Sequence, residues 1–276
     1  MTSALFPDLQ VVPLDTCVLH EETDAKRVTR LVERLTSDRI LRNPPILGRH
    51  NGLEPLIVLD GATRVTALRE LGAPHVVAQV VDYDNDIIQL HTWSHILAGM
   101  TLDELSSALA HEELLSVRTC SLHDAEVALM RRETLAYLAD RSGQCLALYN
   151  GTGMVEQATA LRQLFAIYAT RAGIARVPPT EWRMRLEESE AGVAVVFPVH
   201  TKNDLVVLAS ANAVLPAGIT RHVIPGRALR INVPLERLCD DQPFAEKQAW
   251  LDTWLREHQT GHGVRYYAEP TFLFDE

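Results

Sequence analysis

Leu56-Ile57-Val58-Leu59-Asp60-Gly61-Ala62-Thr63-Arg64-Val65-Thr66-Ala67-Leu68-Arg69-Glu70-Leu71-Gly72 carries a short apolar run through an Asp-Gly pair directly into residues of helical spacing. The pattern predicts a buried strand, a tight turn and a helix N-terminus. Such a terminus presents unpaired backbone N–H groups and a partial positive charge, so the turn suits a phosphate, and Arg64 one turn in adds a formal charge. The plain alternative is an ordinary strand-to-helix joint with Asp60 as its N-cap.

On both sides of this stretch the first hundred residues alternate in element type. Residues 9–14, 45–47, 56–59 and 75–81 read as extended, and residues 24–37 and 63–71 as helical, an α/β pattern. In the first helix Val28, Leu31, Val32 and Leu35 share one face while Lys26, Arg27, Arg30 and Arg34 lie elsewhere, which makes the basic residues a solvated face. From Thr101 the chain turns helix-rich: Thr101-Leu102-Asp103-Glu104 has the form of a capping box, and residues 125–138 and 155–169 keep helical periodicity. Residues 192–198 and 204–209 then read as strands, residues 228–233 and 264–274 as extended, and residues 243–257 as a helix between them. Arg176-Val177-Pro178-Pro179 is a candidate joint. The fold class is thus α/β followed by α+β, with a domain over residues 1–97 and a helical and mixed α+β domain over 98–276.

The chain has 276 residues, 47% hydrophobic and 22% charged, ordinary globular usage for one large or two modest domains. A formal charge of −10, from 26 basic and 36 acidic residues, disfavours broad attraction to a polyanion such as DNA. Cys17, Cys120, Cys145 and Cys239 are scattered without a C-x-x-C pair, which points away from zinc and disulfides and toward reduced thiols in a cytoplasm. No apolar run approaches the roughly 20 residues that a membrane span needs. Zinc-protease, nucleophile-elbow and P-loop motifs are missing.

Four short clusters are candidates for chemistry, each of which could equally be an ordinary helix start, joint, core edge or surface turn. His20-Glu21-Glu22 offers carboxylates before a helix, and Asp60 to Arg64 an anion cradle. His91-Thr92-Trp93-Ser94-His95 sets a flat aromatic wall among polar neighbours. Thr220-Arg221-His222, after Pro216-Ala217-Gly218, suits a carboxylate or a phosphate.

These segments, together with Arg42-Asn43-Pro44-Pro45-Ile46-Leu47, Leu215-Pro216-Ala217-Gly218-Ile219-Thr220-Arg221 and Val233-Pro234-Leu235, resemble the ParB/sulfiredoxin-like superfamily, and within it the free L-serine kinases. The resemblance spans nearly the whole chain. It implies an N-terminal ParB/sulfiredoxin-like domain, a helix-rich middle and a mixed α+β C-terminal domain. It further implies phosphoryl transfer from ATP, or ADP as in some archaeal relatives, with Mg²⁺, to the hydroxyl of L-serine to give O-phospho-L-serine. By resemblance Glu21 matches the catalytic carboxylate, with Glu22 as its competitor, and Asp60 serves catalysis and Mg²⁺. Gly61, Ala62, Thr63 and Arg64 match the nucleotide-phosphate loop. Trp93, His95, Thr220, Arg221 and His222 match positions near the amino acid. A siderophore or diaminopropionate route for the product is suggested only by a relative.

The chain also departs from its kin. Thr63 stands where the family often has His, and Ala62 where sulfiredoxins carry their cysteine, so peroxiredoxin repair is not expected. The competing reading is a ParB-like nucleotide-binding regulator of transcription, which follows this domain with a helix-turn-helix. The stretch from Thr101 is acidic at Asp103, Glu104, Glu112 and Glu113, a poor surface for DNA phosphates. The acceptor's identity among serine, threonine and homoserine and the oligomeric state stay open.

Overall fold

A computed structural model of the chain describes residues 6–110, 112, 115–151, 153–189, 192–260 and 263–266. The N-terminal part runs β1 (Leu9–Pro13), a 3-10 turn (Leu14–Thr16), β2 (Cys17–Leu19), α1 (Ala25–Asp38), β3 (Ile40–Leu41), β4 (Ile46–His50), β5 (Leu53–Asp60), α2 (Ala62–Glu70) and β6 (His75–Asp82). Then follow β7 (Gln89–Thr92), β8 (Ser94–Ala98), α3 (Leu102–Leu109), β9 (Ser116–Thr119), α4 (Leu122–Met130), β10 (Ala136–Asp140), β11 (Cys145–Tyr149), α5 (Met154–Ala169), β12 (Gly173–Val177), α6 (Trp182–Glu188) and β13 (Gly192–Val196). The rest is α7 (Lys202–Ser210), β14 (Thr220–Val223), β15 (Val233–Pro234), α8 (Leu235–Cys239) and α9 (Phe244–Thr260).

The first sheet has the order β1-β6-β4-β5-β2. It is mixed: β4 and β5 form an antiparallel pair, while β2 lies parallel to β5 and β4 parallel to β6. The Asp24 side chain caps α1 by accepting from the Lys26 and Arg27 N–H groups, and Val28 and Leu35 drop from this helix onto the core. The same core includes Leu235 and Leu238 of α8 and Leu251 of α9, and Gln248 of α9 accepts the Val11 N–H on the open edge of β1. The first sheet is therefore completed by the end of the chain, so a division at 97/98 does not follow its hydrophobic core.

The second sheet is antiparallel throughout, in the order β12-β8-β13-β10-β11-β9. Alternate residues of its central strands face opposite cores. Val193 and Val195 of β13 join Leu105, Leu161 and Leu205 from α3, α5 and α7; Ala194 and Val196 join Ala125 and Trp182 from α4 and α6. Cover on both faces explains why this strand is apolar without alternation.

Several expected elements differ. Residues 125–138 are not one helix: α4 stops at Met130, Arg132 adopts a left-handed φ of 57°, and the chain enters β10. Its apolar residues 135–139 mimic a helical pattern because both faces of β10 are buried. Residues 204–209 are helical rather than extended, since Thr201 and Asp204 form a capping box and start α7; the five apolar residues after Asp204 fit either period. Residues 228–233 are interrupted by positive φ at Arg230 and Asn232, and only Val233 of that stretch belongs to a strand. Arg176-Val177 is no joint but the end of β12, paired with β8. Residues 243–257 lie within α9, and the box at Thr101 forms as expected. Of the extended piece at 264–274, residues 267–274 lie outside the described residues.

Candidate active site

The parallel register Leu19↔Val58, carried two residues onward, puts Glu21 and Asp60 at the same end of neighbouring strands. The C-terminal ends of parallel strands are where open α/β sheets collect ligands. The second half of the chain reaches this edge through residues 215–223. The Leu215 N–H donates to the His20 carbonyl and the Glu22 N–H to the Leu215 carbonyl, both at 2.8 Å. β14 then pairs with β7, and the Trp93 N–H donates to the Ile219 carbonyl at 2.7 Å.

Glu21 is the centre of this junction. Its Oε2 accepts the Gly218 N–H at 3.0 Å; its Oε1 accepts the Thr220 N–H at 2.6 Å and meets the Thr220 hydroxyl at 2.5 Å. Gly218 has φ of 80°, a left-handed conformation that favours glycine, and a Cβ there would have to displace the Arg176 guanidinium. Glu22 points elsewhere, forming an ion pair with Arg162 of α5 at 2.5 Å. The adjacent carboxylates thus separate into one at the junction and one on a neighbouring helix.

Two of the three residues in Thr220-Arg221-His222 are buried, as strand alternation requires, and Arg221 is exposed with its guanidinium 4.8 Å from the centre of the Trp93 ring. His222 faces inward, its Nε2 2.9 Å from the Tyr83 hydroxyl and its ring edge-on to His20 at 5.3 Å. Burial and the nearby His20 push its pKa down to about 3, so it is a neutral group and not a cationic grip for a carboxylate. His95 is fully buried: Nε2 donates to the Gly218 carbonyl at 3.1 Å, and Nδ1 accepts from the Tyr168 hydroxyl at 2.8 Å. Burial lowers its pKa to about 4. This places His95 behind the 218 loop, holding the peptide whose neighbour binds Glu21.

At the other cluster Gly61, with φ of 91°, occupies the N-cap position of α2 and no side chain caps it. Asp60 is not the N-cap acceptor expected for an ordinary joint. Its Oδ2 instead accepts from Arg64 Nη2 at 2.8 Å and from Arg227. Burial would raise the Asp60 pKa, but Arg64 and Arg227 outweigh it and hold the carboxyl below its usual range. Arg64 is further committed to the Pro44 carbonyl at 2.6 Å, so it braces the turn while Arg227, half-exposed, stands at its rim. Arg227 was missed from sequence; the only signal is its place after Pro225-Gly226. The Gln79 amide positions it by donating to the Gly226 carbonyl and accepting the Ala228 N–H. His20, which in the sequence is marked only by its place beside Glu21, is a buried link between Val58 and Thr220. Among the described residues no group of three or more His, Cys, Asp or Glu side chains is placed to hold a metal.

This architecture is the fold of solved free serine kinases. One, a free serine kinase in complex with AMP, superposes with a TM-score of 0.73 at 24% identity, covering 84% of this chain and 94% of the other. The C-terminally truncated SbnI from Staphylococcus aureus gives a TM-score of 0.71 at 19% identity, covering 91% and 97%. In sequence, the chain is 23% identical to the ATP-dependent L-serine kinase of Staphylothermus marinus over 83% of this chain and 90% of that one. It is 24% identical to the ADP-dependent L-serine kinase SerK of Thermococcus kodakarensis, over 84% and 93%. With the ATP-dependent L-serine kinase SbnI of Staphylococcus aureus it shares 22% over 97% of both. No family model matches the chain.

Proposed function

We propose that this protein is a nucleotide-dependent kinase of free L-serine. The observation that carries the reading is the Glu21 carboxylate, fixed by Gly218 and Thr220 from the far half of the chain and set beside the Asp60 turn. Likeness to named L-serine kinases over more than four-fifths of the chain supports it. The nucleotide's transferable phosphate lies against the turn of Gly61, Ala62, Thr63 and Arg64, chiefly the N–H groups of Ala62 and Thr63, since the Gly61 N–H bonds to Asp60 and the Arg64 N–H donates to the Gly61 carbonyl, with Arg227 adding charge from the rim. Arg221 meets the amino acid's carboxylate beside Trp93, and Thr220, His222 and His95 shape and hold the pocket. Glu21 takes the proton of the serine hydroxyl as that oxygen attacks phosphorus, a contribution of about 10²–10⁴-fold for a placed general base. Positioning and charge neutralisation supply the rest.

Asp60 offers a single carboxylate with one oxygen between two guanidiniums. That donor set fits Mg²⁺ arriving with a nucleotide, which completes its shell from phosphate oxygens and water, rather than a resident ion. There Asp60 would hold the ion, which would neutralise phosphate charge. The N-terminal sheet with its turn is the ParB/sulfiredoxin-like part of this reading, and the second sheet with residues 215–223 is the substrate part.

A DNA-binding regulator is not favoured: among the described residues the next element after α3 is strand β9 and not a second helix across a short turn. The test is phosphorus NMR of the protein with Mg²⁺, L-serine and either ATP or ADP, with L-threonine and no acceptor as controls. A serine-dependent phosphomonoester signal is expected. Nucleotide loss without that signal, or no turnover with either nucleotide, overturns the reading.

A further inference from the structure

The hydrogen bonds around His20 do not balance for a resting general base. His20 Nδ1 lies 2.7 Å from the Val58 carbonyl, which only accepts, so Nδ1 carries a proton. A neutral ring then has a bare Nε2, and that atom is 2.9 Å from Thr220 Oγ1. The Thr220 hydroxyl has one proton and two acceptors to serve, Nε2 and the Glu21 oxygen 2.5 Å away. With Glu21 ionised and His20 neutral, one of the two contacts sets lone pairs face to face. His20 and Thr220 are both buried, so solvent does not relieve it. One added proton does. On Glu21 it makes a chain of donors from Glu21 through Thr220 and His20 to Val58; on Nε2 it reverses the direction of the first two bonds.

We propose that His20 is a positioning residue that acts through Thr220 to raise the proton affinity of Glu21 and to take up the proton released by the substrate hydroxyl. This rests on the kinase reading above. As the serine oxygen bonds to phosphorus, its O–H bond breaks and the proton passes to Glu21. The phosphorus–oxygen bond to the nucleotide breaks, its electron pair leaving with the nucleotide. The proton on Glu21 Oε1 moves to Thr220 Oγ1 while the Thr220 proton moves to His20 Nε2, and it returns to solvent once product departs. Burial holds the free His20 imidazole below its ordinary range while Glu21 acts in the opposite sense, so the ring rests neutral with its Nε2 lone pair toward Thr220.

Other groups face this trio: Glu22 and Arg162 beside β2, Asp60 at the end of β5, Tyr83 after β6, Arg176 on β12 behind Gly218, His200 before α7 and His222 on β14. The experiment therefore reads Glu21 itself. In the full chain without substrates, the carboxyl carbon of Glu21 is titrated by ¹³C NMR in wild type, Thr220→Val, Thr220→Ser and His20→Gln. Thr220→Val and His20→Gln are expected to lower the Glu21 midpoint by about half a pH unit or more, with Thr220→Ser within about 0.2 of wild type. In turnover the first two are expected to lose about 10–100-fold in kcat with serine KM changed less than about 3-fold, and the acid limb of kcat moves with the midpoint. An unchanged midpoint in folded Thr220→Val overturns the proposal, whatever His20→Gln does to folding. A wild type that makes no phosphoserine while the midpoint still moves defeats the kinase reading and leaves the coupling standing.

Discussion

Arg221 lays its guanidinium over the face of Trp93, 4.8 Å from the ring centre, and strand pairing between β14 and β7 holds the two side by side. The contact holds an exposed cation against an aromatic ring, the pair to which the kinase reading gives the substrate's carboxylate. Arg221→Ala is expected to raise the serine KM by about 10-fold or more, whereas Trp93→Ala, which removes a half-exposed cation–π contact of about 0.5–1 kcal/mol, raises it by about 2–5-fold through that contact alone. Steady-state kinetics with serine varied checks both. Equal KM values in variant and wild type would place the carboxylate elsewhere.

Glu21→Gln keeps a carbonyl oxygen for one of the Thr220 and Gly218 N–H groups, which bond to different oxygens of Glu21, and cannot take a proton at neutral pH. The expected outcome is a kcat lower by about 10²–10⁴-fold with nucleotide affinity within about 3-fold of wild type. Glu22→Gln, which loosens only the pair with Arg162, is expected to stay within about 3-fold in kcat. The contrast assigns the base to one of two adjacent carboxylates.

Removing Arg227 leaves Asp60 paired with Arg64 and the turn intact. Arg227→Ala is therefore expected to weaken nucleotide binding by about 5–50-fold with little effect on serine. Isothermal titration calorimetry with ADP reads the change directly. Asp60→Ala acts differently, because it releases two guanidiniums from a half-buried site, and it is expected to lower the melting temperature as well as the affinity.

The buried histidines give the fold a pH dependence of definite sign. His95 and His200 are held at a pKa of about 4 and His222 at about 3, in each case first by burial, against about 6.5 in the unfolded chain. Between those values the unfolded state binds more protons than the folded one. The contribution is thus fully present above pH ~6.5 and is lost as pH falls toward ~4, by up to about 1.4 kcal/mol per pH unit for each histidine. Urea unfolding from pH 7.5 to 4.5 should show this slope, flattened in His95→Gln.

Leu251 of α9 is fully buried in the first core although it is 191 residues from Asp60. Leu251→Ala is expected to cost about 2–5 kcal/mol of stability, read from denaturant unfolding, while leaving kcat of the folded fraction unchanged.

What the sequence disclosed follows from how local each feature is. The strand, turn and helix around Asp60 and Gly61 depend on neighbours, and residues 56–72 contain all of them. The capping box at Thr101 and the amphipathic helix after Asp24 are local in the same sense. Residues 135–139 and 204–209 misled because burial on all sides erases the period that separates strand from helix. In the site, Glu21 and Thr220 are recognisable as polar residues in shaped segments, but their bond spans 199 positions. Arg227 reaches Asp60 over 167, and a sequence without such pairings on display gives no reason to prefer it to any other surface arginine.

The pairing of β1 with the last helix sets a schedule for synthesis. Once the strand, turn and helix around Asp60 have left the ribosome, α1 and α2 lie over part of the apolar side of the sheet, and the part that α8 and α9 cover stays open until residues 235–255 have been made. The phosphate turn and Glu21's partners at 218–220 are likewise separated by most of the translation time. On the kinase reading, the Asp60 turn gains Arg227 and Glu21 gains Gly218 and Thr220 late and together, after most of the chain has been made.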